Sequence, residues 1–495
     1  MGSPSVSFAG TGISNNIRKP GVYFYEDVKN ALQGLQPTND SVCIIAQILS
    51  TGTVAAKIPT VVYTDADAGL FFGQGSVAHL MSRAAILANP NIKLTVVGVN
   101  DNGTTKATGS FTVGSVPAAG GTLYCWIGDQ MATISYTGAT SANDVCQDIY
   151  DAFLPNSYLL PVTMSPSTNV LTLTAKNAGT CGNMSALSAY DANGNSWITI
   201  GAMSGGATDP DVGVYSSAGT VLASVVGGGY TIFVNGIPQT EASHDAATKI
   251  KNMVDFVSGP MEQRPAITVM ANTELVDSAA NTKTLCGTDL NDGRTTCAFI
   301  SYASDDLAKS EYYKIAGAYA GVIASESDPS VPYDGLALTG IAPPAVVDRL
   351  TRTQQEDFLN NGVTPLEVIA GEQTAIVRAI TTYTTNSLSI PDITLLDINT
   401  YRTLDLVRFQ VRSRLASRFQ RGKINARIIK MVKTEIIDVL YLLQGLDIVQ
   451  NIDTYKSGVI VEVDTSDPTR LDCKIPAPIV SGLHVICGQI VLVLG

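Results

Sequence analysis

Eight cysteines and three histidines are the first places to look for chemistry in this 495-residue chain. The cysteines are Cys43, Cys125, Cys146, Cys181, Cys286, Cys297, Cys473 and Cys487. No two stand at the Cys-x-x-Cys spacing that builds zinc and redox sites. Most lie in apolar runs, Cys43 in SVCIIAQIL and Cys297 in TCAFISY, which predicts buried, reduced thiols. His79, His244 and His484 are far apart in sequence, so no histidine-based metal site is expected. Asp65/Asp67 and Asp305/Asp306 are carboxylate pairs, each at a helix start or in a loop, where they complement a helix dipole or are solvated. The run DANGN places Asp191, Asn193 and Asn195 at alternate positions, as a calcium loop would. It lacks the closing Glu and its glycine is misplaced, so a turn is expected. Gly227, Gly228 and Gly229 precede a strand rather than a helix, which makes a turn and not a phosphate cradle. There is no GxSxG, Walker loop or HExxH. The expectation is no catalytic residue, no metal, no cofactor and no enzymatic activity.

A different kind of chemistry lies in charge. Arg402, Arg408, Arg412, Arg414, Arg418, Arg421, Lys423, Arg427, Lys430 and Lys433 are opposed within their segment by Asp405 alone. That segment carries about +9 in a chain of net −12, so the remainder carries about −21. Leu404, Val407, Val411 and Leu415 form one apolar helical stripe, flanked by Arg408 and Arg412 on one side and Arg414 and Arg421 on the other. Three readings fit: arginines snorkelling around a packed helix or pairing with the chain's own acids, docking onto an acidic protein surface, or nucleic acid. No interleaved aromatics support the last.

The elements around these residues follow from periodicity. Charged residues are only 15% and hydrophobic residues 45%, too apolar for a disordered chain and too acidic for a general nucleic-acid binder. The apolar stretches are too short to cross a bilayer, and the N-terminus has no apolar leader core; a soluble, cytoplasmically made protein is expected. Residues 1–30 read as an arm ending in the strand GVYFYEDV. Residues 31–100 and 204–343 alternate apolar strands with helices, predicting one discontinuous α/β domain with a mostly parallel sheet. Residues 101–203 read as an inserted β-rich domain with one helix, capped by Ser141 and Asp144, that turns Val145, Ile149 and Phe153 to one face. From 101 to 245 only Lys106 and Lys176 are basic, against ten acids. Residues 344–478 read as a C-terminal α+β domain. Residues 479–495 form a terminal arm of strand formers, which must be paired or covered because a bare apolar edge aggregates.

With termini and basic helix in view, the chain resembles the contractile tail sheath proteins of Mu-like bacteriophages along nearly its whole length. The resemblance is carried by KPGVYFYED (19–27), the Ala-Gly-Gly-Thr-Leu start at 119–123, LTLTAKNAGTCGN (171–183), SGGATDPDV (204–212) and DPSVPYDGLALTGIAPP (328–344). NNGVTPLEV (360–368), AIVRAITTY (375–383), LLDINTYRTLDLVRFQVRSRL (395–415) and SDPTRLDCKIPAPIVSGLHVICGQIVL (466–492) follow in order. The resemblance implies a structural subunit that stacks with itself as hexameric rings around a tail tube protein, and contracts to drive the tube through the host envelope. It implies baseplate and tail-terminator partners, no direct nucleic acid and no membrane insertion, in a virion tail made in the host cytoplasm. It also implies subunit-linking arms at Val22, Tyr23, Phe24 and Tyr25 and at Val485, Ile486, Ile490, Val491 and Leu492. Arg408, Arg412, Arg414, Arg418, Arg421 and Lys423 become the candidates to face the tube. The alternatives are the sheath of a phage-derived bacteriocin or secretion machine and, in another class, a receptor-binding β-protein.

Overall fold

The computed structural model describes residue 35 and residues 40–492. The N-terminal arm with Val22, Tyr23, Phe24 and Tyr25 lies outside the described residues, as do 493–495. The described chain falls into two units, one running to Leu406 and resuming at Ile479, the other Val407–Pro478.

The larger unit is built on an eight-stranded sheet. Its strands are Val42–Gln47 (β1), Thr60–Val62 (β2), Leu94–Val99 (β3), Ile232–Asn235 (β11), Ile267–Thr273 (β12), Thr295–Ile300 (β13), Thr364–Ile369 (β14) and Gln373–Ile376 (β15). The order is β15-β14-β13-β12-β11-β1-β3-β2, parallel except for the two edge strands. The apolar run at β1 is buried along its whole length because both faces are covered. Val42, Ile44 and Ala46 enter one core with Val77–Ala88 (α2) and Tyr312–Ser325 (α7). Cys43 and Ile45 enter the opposite core with Val221–Val225 (α4) and Asp245–Ser258 (α5). Helices α2 and α7 approach so closely that a Cβ on Gly317 would stand 2.4 Å from the Met81 carbonyl oxygen, and one on Gly321 2.7 Å from that of Ala85. Only glycine permits that packing.

Residues 101–203, the insertion of the sequence reading, hold a core around Phe111, Leu123, Ile134, Ile149, Phe153 and Leu171. Its strands are Thr108–Val113 (β4), Gly121–Ile127 (β5), Gln130–Tyr136 (β6), Val162–Ser167 (β7), Val170–Ala175 (β8), Leu187–Asp191 (β9) and Ile198–Ser204 (β10). They make two antiparallel sheets, β10-β4-β8-β7 and β6-β5-β9. Ala142–Phe153 (α3) begins with the predicted reciprocal cap, Ser141 Oγ accepting from the Asp144 amide and Asp144 from the Ser141 amide, and it buries Val145, Ile149 and Phe153.

The insertion is stitched to the sheet at one place. Asp101 Oδ1 accepts from Gln47 Nε2 at 2.8 Å and from Asn177 Nδ2 at 3.0 Å, and Oδ2 accepts from the Ala178 amide at 2.7 Å. Gln47 Nε2 also donates to the Ala178 carbonyl at 2.7 Å. Gln47 ends β1, where strand order diverges towards β3 on one side and β11 on the other. Open α/β sheets bind ligands in the crevice at such a switch point. Here the Asn177–Ala178 segment of the insertion fills it. Asp101→Ala removes three bonds to one carboxylate and is expected to lower unfolding stability by about 3 kcal/mol, read by urea titration.

Lys176 sits beside this junction and donates to the carbonyls of Ser157 (2.9 Å) and Gln74 (3.1 Å). Burial pushes its ammonium down to about 8. The unfolded lysine holds its proton to about 10.4, so folding releases a proton between those values and this group's contribution to stability rises with pH there. The melting-temperature difference between Lys176→Met and the parent should therefore move in the parent's favour from pH 8 to pH 10.

Two features differ from the sequence reading. Residues 364–376 were placed in the C-terminal α+β domain, from 344 onwards. They instead extend the large sheet, β14 pairing parallel with β13 through Ala298–Thr364 and Phe299–Pro365. Within 204–343, read as strands alternating with helices, the stretch 211–226 is mostly non-helical. Gly213 and Gly219 take positive φ of 72° and 81°, and only α4, capped by Thr220, remains helical.

The smaller unit holds most of Ile398–Phe419 (α9), then Ala426–Gln444 (α10), Ile452–Tyr455 (α11), Ile460–Val463 (β16) and Leu471–Lys474 (β17). Helix α10 buries Val432, Ile436, Val439, Leu440 and Leu443 on one face. The remaining helices of the larger unit are Asp65–Phe72 (α1), Ala279–Thr284 (α6) and Arg352–Asn360 (α8).

Candidate functional site

His79, Asp65, Asp67, Asp306 and Asp191 are each engaged in structure. His79 is buried; its Nδ1 accepts from the Gly75 amide at 2.9 Å, so its Nε2 donates to Asp65 at 3.0 Å and ties α1 to α2. Burial pushes its proton affinity down, against the pull of Asp65. Asp67 closes a capping box with Thr64 at the start of α1. Asp306 accepts from the amides of Ala303 and Ala345, both at 2.8 Å. Asp191 holds the DANGN turn. It accepts from Tyr136 Oη (2.9 Å), Asn195 Nδ2 (2.8 Å), Trp197 Nε1 (3.1 Å) and the Asn193 amide (3.1 Å). Burial raises its carboxyl, but these donors outweigh that and hold it below the usual range. Among the described residues no cluster of His, Cys, Asp or Glu could hold a metal ion. Six cysteines are buried as expected; Cys473 and Cys487 are exposed.

The basic segment becomes a helical hairpin. Helix α9 ends at Phe419, and α10 starts after Asn425, whose Oδ1 accepts from the Ile428 amide at 3.0 Å. The ten basic side chains separate by environment. Arg402 is paired with Asp40 and Tyr333 in the larger unit. The lone acid of the segment, Asp405, is taken by a bidentate bond from Arg294 (2.7 and 2.9 Å). Arg414, expected among the tube-facing residues, is buried between Glu435 (3.3 Å) and Asp438 (3.2 Å) of α10 and is not part of the surface. Arg418 is exposed and reaches Glu435, and Arg408 is half-buried. Arg412, Arg421 and Lys423 are exposed, as are Arg427 and Lys430, which were counted in the charge but not chosen as contact residues. The exposed charge therefore gathers at the tip of the hairpin. There the first turn of α10 carries no acid, and Arg427 faces the positive end of its own helix. That placement opposes helix stability, so helix formation does not explain it.

The second surface is β16–β17. It is a two-stranded antiparallel sheet with register Val461–Cys473 and Val463–Leu471, and among the described residues no further strand joins it. Two strands alone are marginal in water. In sequence, β17 is the four residues LDCK, an alternation too short to stand out as a strand.

The third is the C-terminal segment. Its root is held: His484 Nδ1 lies 2.6 Å from Asp334 and Nε2 3.6 Å from Asp397, which also takes a bidentate bond from Arg378. Beyond His484 the backbone has no regular structure, and Val485, Ile486, Ile490, Val491 and Leu492 are 71%, 82%, 100%, 68% and 80% exposed. Five large apolar side chains in eight residues are presented to solvent with nothing of their own unit over them.

Residues 216–382 match the model of the phage tail sheath protein central domain, and residues 391–492 that of the phage tail sheath C-terminal domain. Over 489 residues the chain is 26% identical to the Mu-like prophage FluMu tail sheath protein of Haemophilus influenzae, covering 94% of this chain and 95% of that one. Among solved structures, it is similar to the sheath tail protein of Listeria innocua (14% identity, 88% of this chain and 91% of that one, TM-score 0.48). It is also similar to the sheath tail protein of Desulfitobacterium hafniense (13%, 90% and 93%, 0.46) and to the contracted helical sheath of the anti-feeding prophage (11%, 96% and 99%, 0.48).

Proposed function

The chain belongs to the phage tail sheath family, and on that premise we propose that it assembles as stacked hexameric rings around a tail tube by lending its C-terminal strand to a neighbouring copy. The observation that carries this is the exposed apolar segment 485–492, together with a two-stranded sheet that no third strand joins among the described residues. Each supplies what the other lacks: unpaired backbone donors and acceptors on one side, an unpaired strand former on the other. Strand addition satisfies both, with main-chain bonds for affinity and alternate side chains for register. Because donor and acceptor are different surfaces, the contact repeats head to tail and generates an open helical array.

The hairpin tip is the surface for the tube. Polar, salt-sensitive contacts through Arg412, Arg421, Lys423 and their neighbours suit a partner that must be released. Contraction is then a switch between two packings of the same subunit, triggered at the baseplate, with the driving energy in subunit–subunit contacts. The filled switch-point crevice fits a machine that needs no nucleotide.

Negative-stain microscopy of the purified chain tests this. Striated hollow cylinders are expected, and dispersed particles at every salt concentration would count against it.

A further inference from the structure

One surface is left over after the arms, the hairpin and the β16–β17 edges have been used. The sheet β6-β5-β9 of the insertion buries Leu123, Cys125, Ile127, Ala132 and Ile134 against its own core, so its alternate residues face outwards. Those residues are Thr122, Tyr124 and Trp126 on β5, Met131, Thr133 and Ser135 on β6, and Tyr190 on β9; Ser188, opposite Trp126, donates to the Leu307 carbonyl and marks where the loop before α7 borders the face. None is charged. Tyr124 lies opposite Tyr190 in register, the rings stacked at 6.4 Å and 21°; Trp126 follows two residues on, 6.1 Å and 36° from Tyr124. Tyr190 is 48% exposed and Met131 54%.

We infer that this face is a binding platform for a neutral polysaccharide. Its chemistry selects among occupants. Single-stranded nucleic acid would also stack on aromatic rings but needs cations along the backbone. A membrane-surface face carries Lys and Arg beside its aromatics. The only lysines of the insertion, Lys106 and Lys176, are elsewhere: their ammonium groups are bound to carbonyls of the 157–176 region and of Gln74. An uncharged face complements an uncharged ligand. A pyranose ring offers an apolar C–H face to an aromatic plane and hydroxyls at its rim, which the hydroxyls of Thr122, Thr133 and Ser135 can meet. Three rings in a row, Tyr190, Tyr124 and Trp126, offer more than one aromatic contact along the face, suited to a chain of sugars.

The chain has two tryptophans, Trp126 on this face and Trp197 in the insertion core. Intrinsic fluorescence therefore reports on the platform. The experiment titrates the purified full chain with hexasaccharides of glucose, galactose, mannose and N-acetylglucosamine, alongside Tyr124→Ala and Tyr190→Ala. Each variant's fold is checked by its melting temperature. Saturable quenching or enhancement by at least one hexasaccharide is expected, with affinity about tenfold weaker or worse in each variant. Response to none of the four, or equal binding by parent and both variants, would overturn the proposal. A poly-dT or anionic-vesicle titration that moves the signal while the sugars do not would assign the face to another partner.

Discussion

Removal of residues 483–495 leaves a soluble chain that no longer polymerises. The truncation removes the His484 contacts to Asp334 and Asp397 but, among the described residues beyond it, only exposed side chains, Val485, Ile486, Ile490, Val491 and Leu492, so the folded body keeps its melting temperature to within a few degrees. Its worth lies between copies. A strand of eight residues adds main-chain bonds at about 1 kcal/mol each. Burying half of its apolar side chains adds about 2 kcal/mol apiece. The sum is on the order of 10 kcal/mol before the cost of ordering the strand, and every 1.4 kcal/mol is about tenfold in association. Polymer should disappear across the whole concentration range in which the intact chain forms it, as read by sedimentation and microscopy. Ordered cylinders from the truncated chain would show that strand exchange is not the link.

The second large effect is at the hairpin tip. Arg421→Glu, Lys423→Glu and Arg427→Glu together change the tip charge by about −6 and are expected to abolish templating on the tube. The same change places an acid in the first turn of α10, where it complements the helix dipole and stabilises by about 0.3–1 kcal/mol. The two effects have opposite signs. A variant that melts no lower than the parent, still polymerises by itself and yet gives no tube-length sheaths separates partner binding from folding. Tube-templated sheaths of normal length from this variant would remove the hairpin from the tube interface. In the parent, templating should weaken between 50 and 500 mM salt, because the charges are solvent-exposed.

The sequence carried much of this and missed what depends on tertiary neighbours. The apolar run SVCIIAQIL and the Ser141–Asp144 cap are local signals, and each stands as read. The large sheet ends elsewhere than expected because β14 and β15 look, in sequence, like any short hairpin; only their pairing with β13 assigns them. Charge was legible as a total but not as a surface. Arg414 and Arg412 are two residues apart on one helix, yet Arg414 lies against Glu435 and Asp438 while Arg412 is exposed. No count of arginines distinguishes them. The C-terminal arm was legible for the opposite reason: a run of strand formers with no partner pattern in its own chain is anomalous wherever it lies. The edge it would join was harder to see, since β17 is only four residues long.

The most direct test is a cryo-electron microscopy reconstruction of the assembled polymer at a resolution that traces main chain. The account predicts continuous density for residues 485–492 leaving one subunit at His484 and running as a third strand along β16 or β17 of another. A map in which that segment packs on its own subunit, with β16 and β17 still two-stranded, would contradict it.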